Sequence, residues 1–243
     1  MTNLSVNINK VALLRNTRNI GIPSVIRAAE MSVAAGAQGI TVHPRPDQRH
    51  IRPSDVFELA DYLRGFPQIE LNIEGNPFPD FMELVRRVRP AQATLVPDTP
   101  DAVTSDHGWD LEHDGARLAP IIAELNQYGT RVSLFMDVGR DQWARARAIG
   151  AARVELYTQP YAEAFADNHA ESSLAQFRAA AAAAQATGLG INAGHDLNLH
   201  NLGAFCRIPG ILEVSIGHAL VADALEIGFP AAVRAYLNVI AAA

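Results

Sequence analysis

Three histidines and two glutamates stand where short apolar runs give way to glycine, proline or charge: His43 in GITVHPR, Glu74 in LNIEGNP, Glu155 in RVELYT, His195 in INAGHDLNLHN and His218 in VSIGHALV. An imidazole, with an unperturbed pKa of about 6.5, both accepts and donates protons near neutrality, and a rigidly held carboxyl complements it. That is the equipment of general acid–base chemistry. Arg45, Asp47, Arg49 and His50 crowd behind His43 and could bind phosphate, although a stretch of this kind reads equally as a solvated basic loop. Glu74 could instead cap a helix or pair with an arginine. Ala193 and Gly194 before His195 would let a ligand approach the backbone, and Gly217 with His218 opens a run of helical period whose free N–H groups attract anions. A simple tight turn is the other reading of Gly217. Asp137 and Glu155 fit either chemistry or pairing with neighbouring arginines.

These residues need elements to converge them. Short runs rich in Val, Ile and Leu recur along the chain, each followed by a longer segment of helical period, as repeated βα units require. Eight strands are expected, at Leu4–Ile8, Gly39–His43, Glu70–Glu74, Ala93–Val96, Arg131–Asp137, Arg153–Thr158, Gly190–Gly194 and Glu213–Gly217. Their apolar opening residues suit strands covered on both faces. Helix starts are marked at Pro53-Ser54-Asp55 and Pro79-Asp80, and Gly36, Gly129, Gly150 and Gly188 stand where helices would end in a left-handed cap. The length, 243 residues, matches the roughly 250 of an eight-fold barrel. No proline- or serine-rich linker interrupts the alternation, so residues 1–243 read as one (β/α)8 TIM-barrel domain. In that fold the strand C-termini share one mouth, which is where Asn7, Asn9, His43, Arg45, Glu74, Asp137, Glu155, Asn192, His195, Gly217 and His218 fall. The longest irregular stretch, Pro97–Gly115, is acidic and turn-rich, and reads as a lid over that mouth or as a plain surface excursion.

Composition narrows the partners. A net charge of -6 with 19% charged residues lacks the basic excess that nucleic acid demands. The N-terminus carries no export signal and no stretch is long enough to span a membrane, so a cytoplasmic protein is expected. The single cysteine, Cys206, fits a reducing compartment and reads as a small buried hydrophobe. Lys10 is the only lysine among 20 basic residues, which leaves one candidate for an enzyme-bound imine but many arginine forks for phosphate.

The strings VNINKVALLRNTR, GITVHPRPDQRHI, LNIEGNP, LVPD followed by Val103-Thr104, VSLFMD, INAGHDLNLHN and IGHALV occur in this order. Together they resemble the pyridoxine 5'-phosphate synthase family from Leu4 to the last helix. The resemblance implies a (β/α)8 barrel with additional helices that build a homo-octamer, and catalysis with neither metal nor organic cofactor. It implies the condensation of 3-amino-2-oxopropyl phosphate with 1-deoxy-D-xylulose 5-phosphate, in which substrate amine meets substrate ketone without an enzyme lysine. It also implies His43 and Glu74 as proton acceptors, His195 as proton donor and Glu155 as a transition-state stabiliser. Asn7 and Arg18 would bind the aminoketone phosphate; Arg45, His50 and Thr104 the deoxyxylulose phosphate; Gly217 and His218 a phosphate. Asn9 and Lys10 stand where many members have Asp-His in a deoxyxylulose phosphate contact, and Asp196 stands where many have glycine. Two further readings of the residues are a metal-dependent aldolase or isomerase, with His43, Glu74 and His195 as ligands, and a barrel that binds a sugar phosphate without catalysis.

Overall fold

A computed structural model describes residues 2–243. Eight parallel strands close in chain order into a barrel: β1 (Asn3–Asn7), β2 (Gly39–Val42), β3 (Glu70–Gly75), β4 (Gln92–Leu95), β5 (Arg131–Met136), β6 (Arg153–Tyr157), β7 (Gly190–Gly194) and β8 (Ile211–Ile216). All eight expected strands are present, with ends moved by up to two residues. Eleven helices accompany them among the described residues: α1 (Asn9–Asn16), α2 (Val25–Ala35), α3 (Pro53–Leu63), α4 (Pro79–Val88), α5 (Leu111–Gln127), α6 (Trp143–Ala148), α7 (Gln159–Ala166), α8 (Ala170–Ala186), α9 (Leu202–Cys206), α10 (His218–Ile227) and α11 (Phe229–Ala241). Three exceed one helix per strand: α1, α7 and α11.

Local chemistry explains the boundaries. Pro53 and Pro79 occupy the first turns of α3 and α4, where a missing N–H is harmless. Gly36, Gly129, Gly150 and Gly188 all take positive φ (106°, 77°, 97° and 85°), the conformation that costs glycine least. The expected loop to Gly115 is shorter than anticipated. Asp110 caps α5 by accepting from the Glu112 N–H at 3.1 Å, so Gly115 lies inside a helix and the irregular stretch ends before Leu111.

The strands are covered on both faces, as expected, but only the outward face is apolar. Outward residues such as Leu4, Val6, Ile40, Val42, Ile73, Leu95, Val132 and Leu134 are fully buried in the core shared with the helices. The alternate residues fill the barrel with polar side chains that satisfy one another. Ser5 and Thr41 hydroxyls lie 2.6 Å apart, Asn72 donates to Thr41 at 3.3 Å, and Thr94 donates to Asn72 at 3.1 Å. Nearer the strand N-termini, Gln92 donates to Glu213 (3.2 Å), Asn192 to Gln92 (3.2 Å) and Arg153 to Asn192 (3.0 Å).

Candidate active site

At the strand C-termini a cavity of about 560 Å³ opens. That is within the range of roughly 300–1,000 Å³ typical of small-molecule sites. Its walls include Asn7, Asn9, Lys10, His43, Arg45, His50, Glu74, Thr104, Glu155, His195, Asp196, Gly217 and His218. Of the residues expected at the mouth, three are not among them: Asn192 lies deeper in the barrel, bonded to Gln92 and Arg153, Asp137 bonds the Gly108 N–H, and Arg18 is exposed on the turn after α1. The preceding residues of the same motif hold the loop instead. Arg15 donates to the His50 carbonyl at 3.1 Å and pairs with Asp55, and Asn16 donates to the same carbonyl at 2.8 Å.

His43 follows β2, and its backbone N–H donates to Asn9 Oδ1 at 2.9 Å. An amide oxygen there does the job a carboxylate would do, so Asn9 in place of aspartate preserves the contact. The ring sits 4.0 Å from Glu74, Nδ1 to Oε2. Burial first, then the positive charges of Arg45 and Arg49, hold His43 well below the ordinary imidazole range. It is therefore neutral and able to accept a proton at pH 7. Glu74 ends β3 in the opposite condition: burial, reinforced by Glu155 and Asp98, pushes its carboxyl well above the ordinary range. Glu155 on β6 is likewise raised by burial and by Glu213, to about 8. Gly194 makes room for it, since a Cβ at that position would lie 2.4 Å from Glu155 Oε1.

His50 takes a definite tautomer. The Ile51 N–H donates to its Nδ1 at 2.9 Å, so Nε2 carries the hydrogen of the neutral ring. Burial and the charges of Arg45, Lys10 and Arg49 lower its pKa to about 4. The result is a neutral donor beside two arginines.

His195 and Asp196 have φ of 93° and 58°, a region that non-glycine residues rarely occupy and that Asp tolerates better than most. Glycine at 196, common in the resembling family, answers the same backbone demand. The strained turn aims the His195 ring inward. Its Nε2 is 3.0 Å from the Thr104 hydroxyl, its edge meets the Tyr157 ring at 5.2 Å between centroids, and its Nδ1 lies 3.2 Å from Asp196 Oδ2. The neighbouring imidazole holds the Asp196 carboxyl below its usual range. At β8, Gly217 precedes α10, whose first N–H groups have no side-chain cap. A Cβ on Gly217 would come within 3.1 Å of Asn7.

Several residues at the mouth escaped the sequence reading. Val96, Phe135 and Tyr157 form a small buried apolar cluster at the ends of β4, β5 and β6, and all but Tyr157 face the cavity directly. Their strand-end positions were the available signal. The irregular segment between Val96 and Asp110 contributes Val103, Thr104 and Ser105 to the cavity wall, so it is a cover and not an outlying excursion. Asp137, which left two readings open, has a structural one: it accepts from the Gly108 N–H at 2.8 Å and from Arg140 at 3.2 Å, fixing the far end of that cover. Among the described residues, no group of three His, Cys, Asp or Glu is placed to hold a metal ion, so His43, Glu74 and His195 form no ligand set. Among the described residues, no helix is long and apolar enough to cross a membrane.

A closed parallel barrel with titratable side chains and anion donors on one rim is the arrangement of a (β/α)8-barrel enzyme. Solved structures agree on the fold. Phosphoribosyl anthranilate isomerase from Thermus thermophilus aligns over 99% of this chain and 98% of its own at a TM-score of 0.60 and 13% identity. That from Thermotoga maritima aligns over 100% of both chains at 0.60 and 13%. Sequence relatives are far nearer. A pyridoxine 5'-phosphate synthase of Albidiferax ferrireducens is 55% identical over 99% of this chain and 98% of its own, and one of Xanthomonas campestris pv. campestris is 56% identical over 99% and 96%. The model of the pyridoxal phosphate biosynthesis protein PdxJ matches residues 4–242, and the chain belongs to that family.

Proposed function

We propose that this enzyme is a pyridoxine 5'-phosphate synthase that joins 3-amino-2-oxopropyl phosphate to 1-deoxy-D-xylulose 5-phosphate, releasing phosphate and water as the pyridine ring closes. The observation that carries the reading is the convergence of His43, Glu74 and His195 on one cavity that also presents two sets of anion donors. Arg45, His50 and Thr104 form one set, and the N–H groups opening α10 form the other, with Asn7 beside Gly217. The first imine joins substrate amine to substrate ketone and so needs no enzyme lysine, although Lys10 lines the cavity.

Ring closure requires repeated proton transfers. Neutral His43 accepts the first. Burial and neighbouring carboxyls make Glu74 and Glu155 hold a proton more tightly than free carboxyls do; a cationic imine beside Glu74 offsets this and converts it into an acceptor. His195 donates to the departing oxygen, oriented by Thr104 and Tyr157. Glu155, holding its proton, stabilises the transition state as a hydrogen-bond donor. Asn9, Lys10 and Asp196 line the deoxyxylulose phosphate end.

Incubating the pure protein with both phosphorylated substrates under chelator tests the reading by mass spectrometry. Pyridoxine 5'-phosphate and inorganic phosphate are expected in equal amounts. Binding of the sugar phosphate with no product would make the barrel a non-catalytic binder, and product that disappears with the chelator would restore the metal-dependent alternative.

The same reading extends to assembly as a homo-octamer in the cytoplasm, with no nucleic-acid or membrane partner. Exposed Leu13, Leu14, Ile20 and Ile22, on α1 and the turn after it, and Leu225 and Ile227 on α10 supply apolar surface for it, and α1 packs against α10. Sedimentation velocity should give the octamer for the native chain and smaller species for Ile22→Asp with Leu225→Asp; a native monomer would refute the assembly.

A further inference from the structure

Arg45 is more than 90% buried and touches the cover through two of its five N–H donors. One goes to the Ala102 carbonyl at 3.0 Å and one to Asp98 Oδ2 at 2.6 Å. Asp98, also buried, lies three residues past the end of β4, where the cover begins, and its backbone carbonyl accepts from Asn76 at 3.1 Å. The same Oδ2 that holds Arg45 accepts from the Ser105 hydroxyl at 2.7 Å, on the returning limb of the cover. Its other oxygen, Oδ1, is buried with no partner, so both ties run through one atom. Next to Ser105, Thr104 reaches His195. A guanidinium of the anion site, the cover and the proton donor are thus joined at a single carboxylate.

We propose that Asp98 is a positioning residue that sets the orientation of Arg45 and the placement of the cover together, so that seating a substrate phosphate on Arg45 and ordering residues 99–107 are one event. The arrangement follows from sharing. A carboxylate oxygen that accepts from a guanidinium and a hydroxyl at once fixes the two donors relative to each other, and charge-assisted bonds of this kind are about twice as strong as neutral ones. Breaking the serine arm loosens the returning limb of the cover while leaving the Arg45–Asp98 pair intact, and removing the carboxylate loosens both; Arg45 and Arg49 still hold the carbonyls of Ala102 and Val103.

The test pairs hydrogen exchange of the substrate-free protein with steady-state kinetics, and its kinetic half rests on the functional reading above. In Ser105→Ala the amides of residues 99–107 exchange about tenfold faster, while those of β4 and α5 keep their native rates. KM for the deoxyxylulose phosphate rises about three- to tenfold with kcat within about twofold, and KM for the aminoketone phosphate does not move. Asp98→Asn gives larger changes in the same two quantities, and the double variant is no worse than Asp98→Asn alone, because both substitutions cut one shared tie. Ser105→Ala decides the matter even where Asp98→Asn does not fold. Unchanged exchange in Ser105→Ala, faster exchange with an unmoved KM, or equal rises in both KM values overturns the proposal. If the native protein forms no pyridoxine phosphate while the exchange of residues 99–107 still follows these expectations, the functional reading fails and the tie between Asp98 and the cover stands.

Discussion

Glu155→Gln should make the protein more stable in alkali while lowering its activity. Glu155 is almost fully buried, its nearest hydrogen-bonding partner is the Thr94 hydroxyl at 3.5 Å, and burial with Glu213 raises its pKa from 4.5 to about 8. Because the folded pKa lies above the unfolded one, the folded state holds the extra proton between those two values. Stability is therefore full below about pH 4.5 and declines as pH rises toward 8. Each pH unit in that window removes about 1.4 kcal/mol, so the accumulated loss over a span of roughly 3.5 units approaches 5 kcal/mol. Water in the open cavity offsets part of it, which leaves about 2 to 5 kcal/mol at pH 9. Glutamine keeps the shape and cannot ionise, so it escapes the loss. Thermal denaturation at pH 5 and pH 9 reads this directly. At about 2–4 °C per kcal/mol for a chain of this size, the variant should gain about 5 °C or more over the native protein at pH 9 and little at pH 5. A gain of equal size at both pH values, or a loss at pH 9, would refute the assignment of Glu155 as a buried, protonated acid. Turnover should fall in the same variant, the usual exchange of stability for function at a strained site.

Gly194→Ala drives a methyl to 2.4 Å from Glu155 Oε1, and overpacking of this kind costs about 1–3 kcal/mol, so a lower melting temperature and a loss of about tenfold or more in kcat are expected. A wild-type rate would show that Glu155 does not need its observed position. His50, lowered to about 4, should remain neutral through pH 5.5, and nitrogen NMR of labelled histidine should show an Nε2–H tautomer there; an imidazolium signal near pH 6.5 would contradict the burial argument. Arg45→Ala should raise KM for the deoxyxylulose phosphate by about tenfold or more and leave the aminoketone phosphate untouched; equal effects on both would move Arg45 out of one anion site.

Much of this molecule could be read before any coordinates. The eight strands followed from repeated Val- and Ile-rich runs, and the four helix-ending glycines all adopt the left-handed backbone expected of them. Strand-end positions located His43, Glu74, Glu155 and His195 because a parallel barrel has only one place for its loops to meet. The polar filling of the barrel was also written in the chain, as residues two apart: Ser5 and Asn7, Asn72 and Glu74, Arg153 and Glu155, Glu213 and Ser215. Short strands rich in apolar neighbours hid that period. What could not be read is long-range. Ser105 and Arg45 are 60 positions apart, and nothing local says that both donate to Asp98. The positive φ at His195 and Asp196 was equally silent, since neither is a glycine. Arg18 shows a different case: a motif position carried by resemblance lies outside the lining of this cavity, while its neighbours Arg15 and Asn16 hold the loop beneath it.

The most direct measurement is the turnover of Glu74→Gln and His195→Ala, each with its fold verified by circular dichroism and its substrate affinities determined. Positioned acids and bases contribute about 10²- to 10⁴-fold, so both variants should bind the two phosphorylated substrates and lose at least a hundredfold in kcat. Near-native turnover in both would leave the cavity a binding site without the proton chemistry assigned to it.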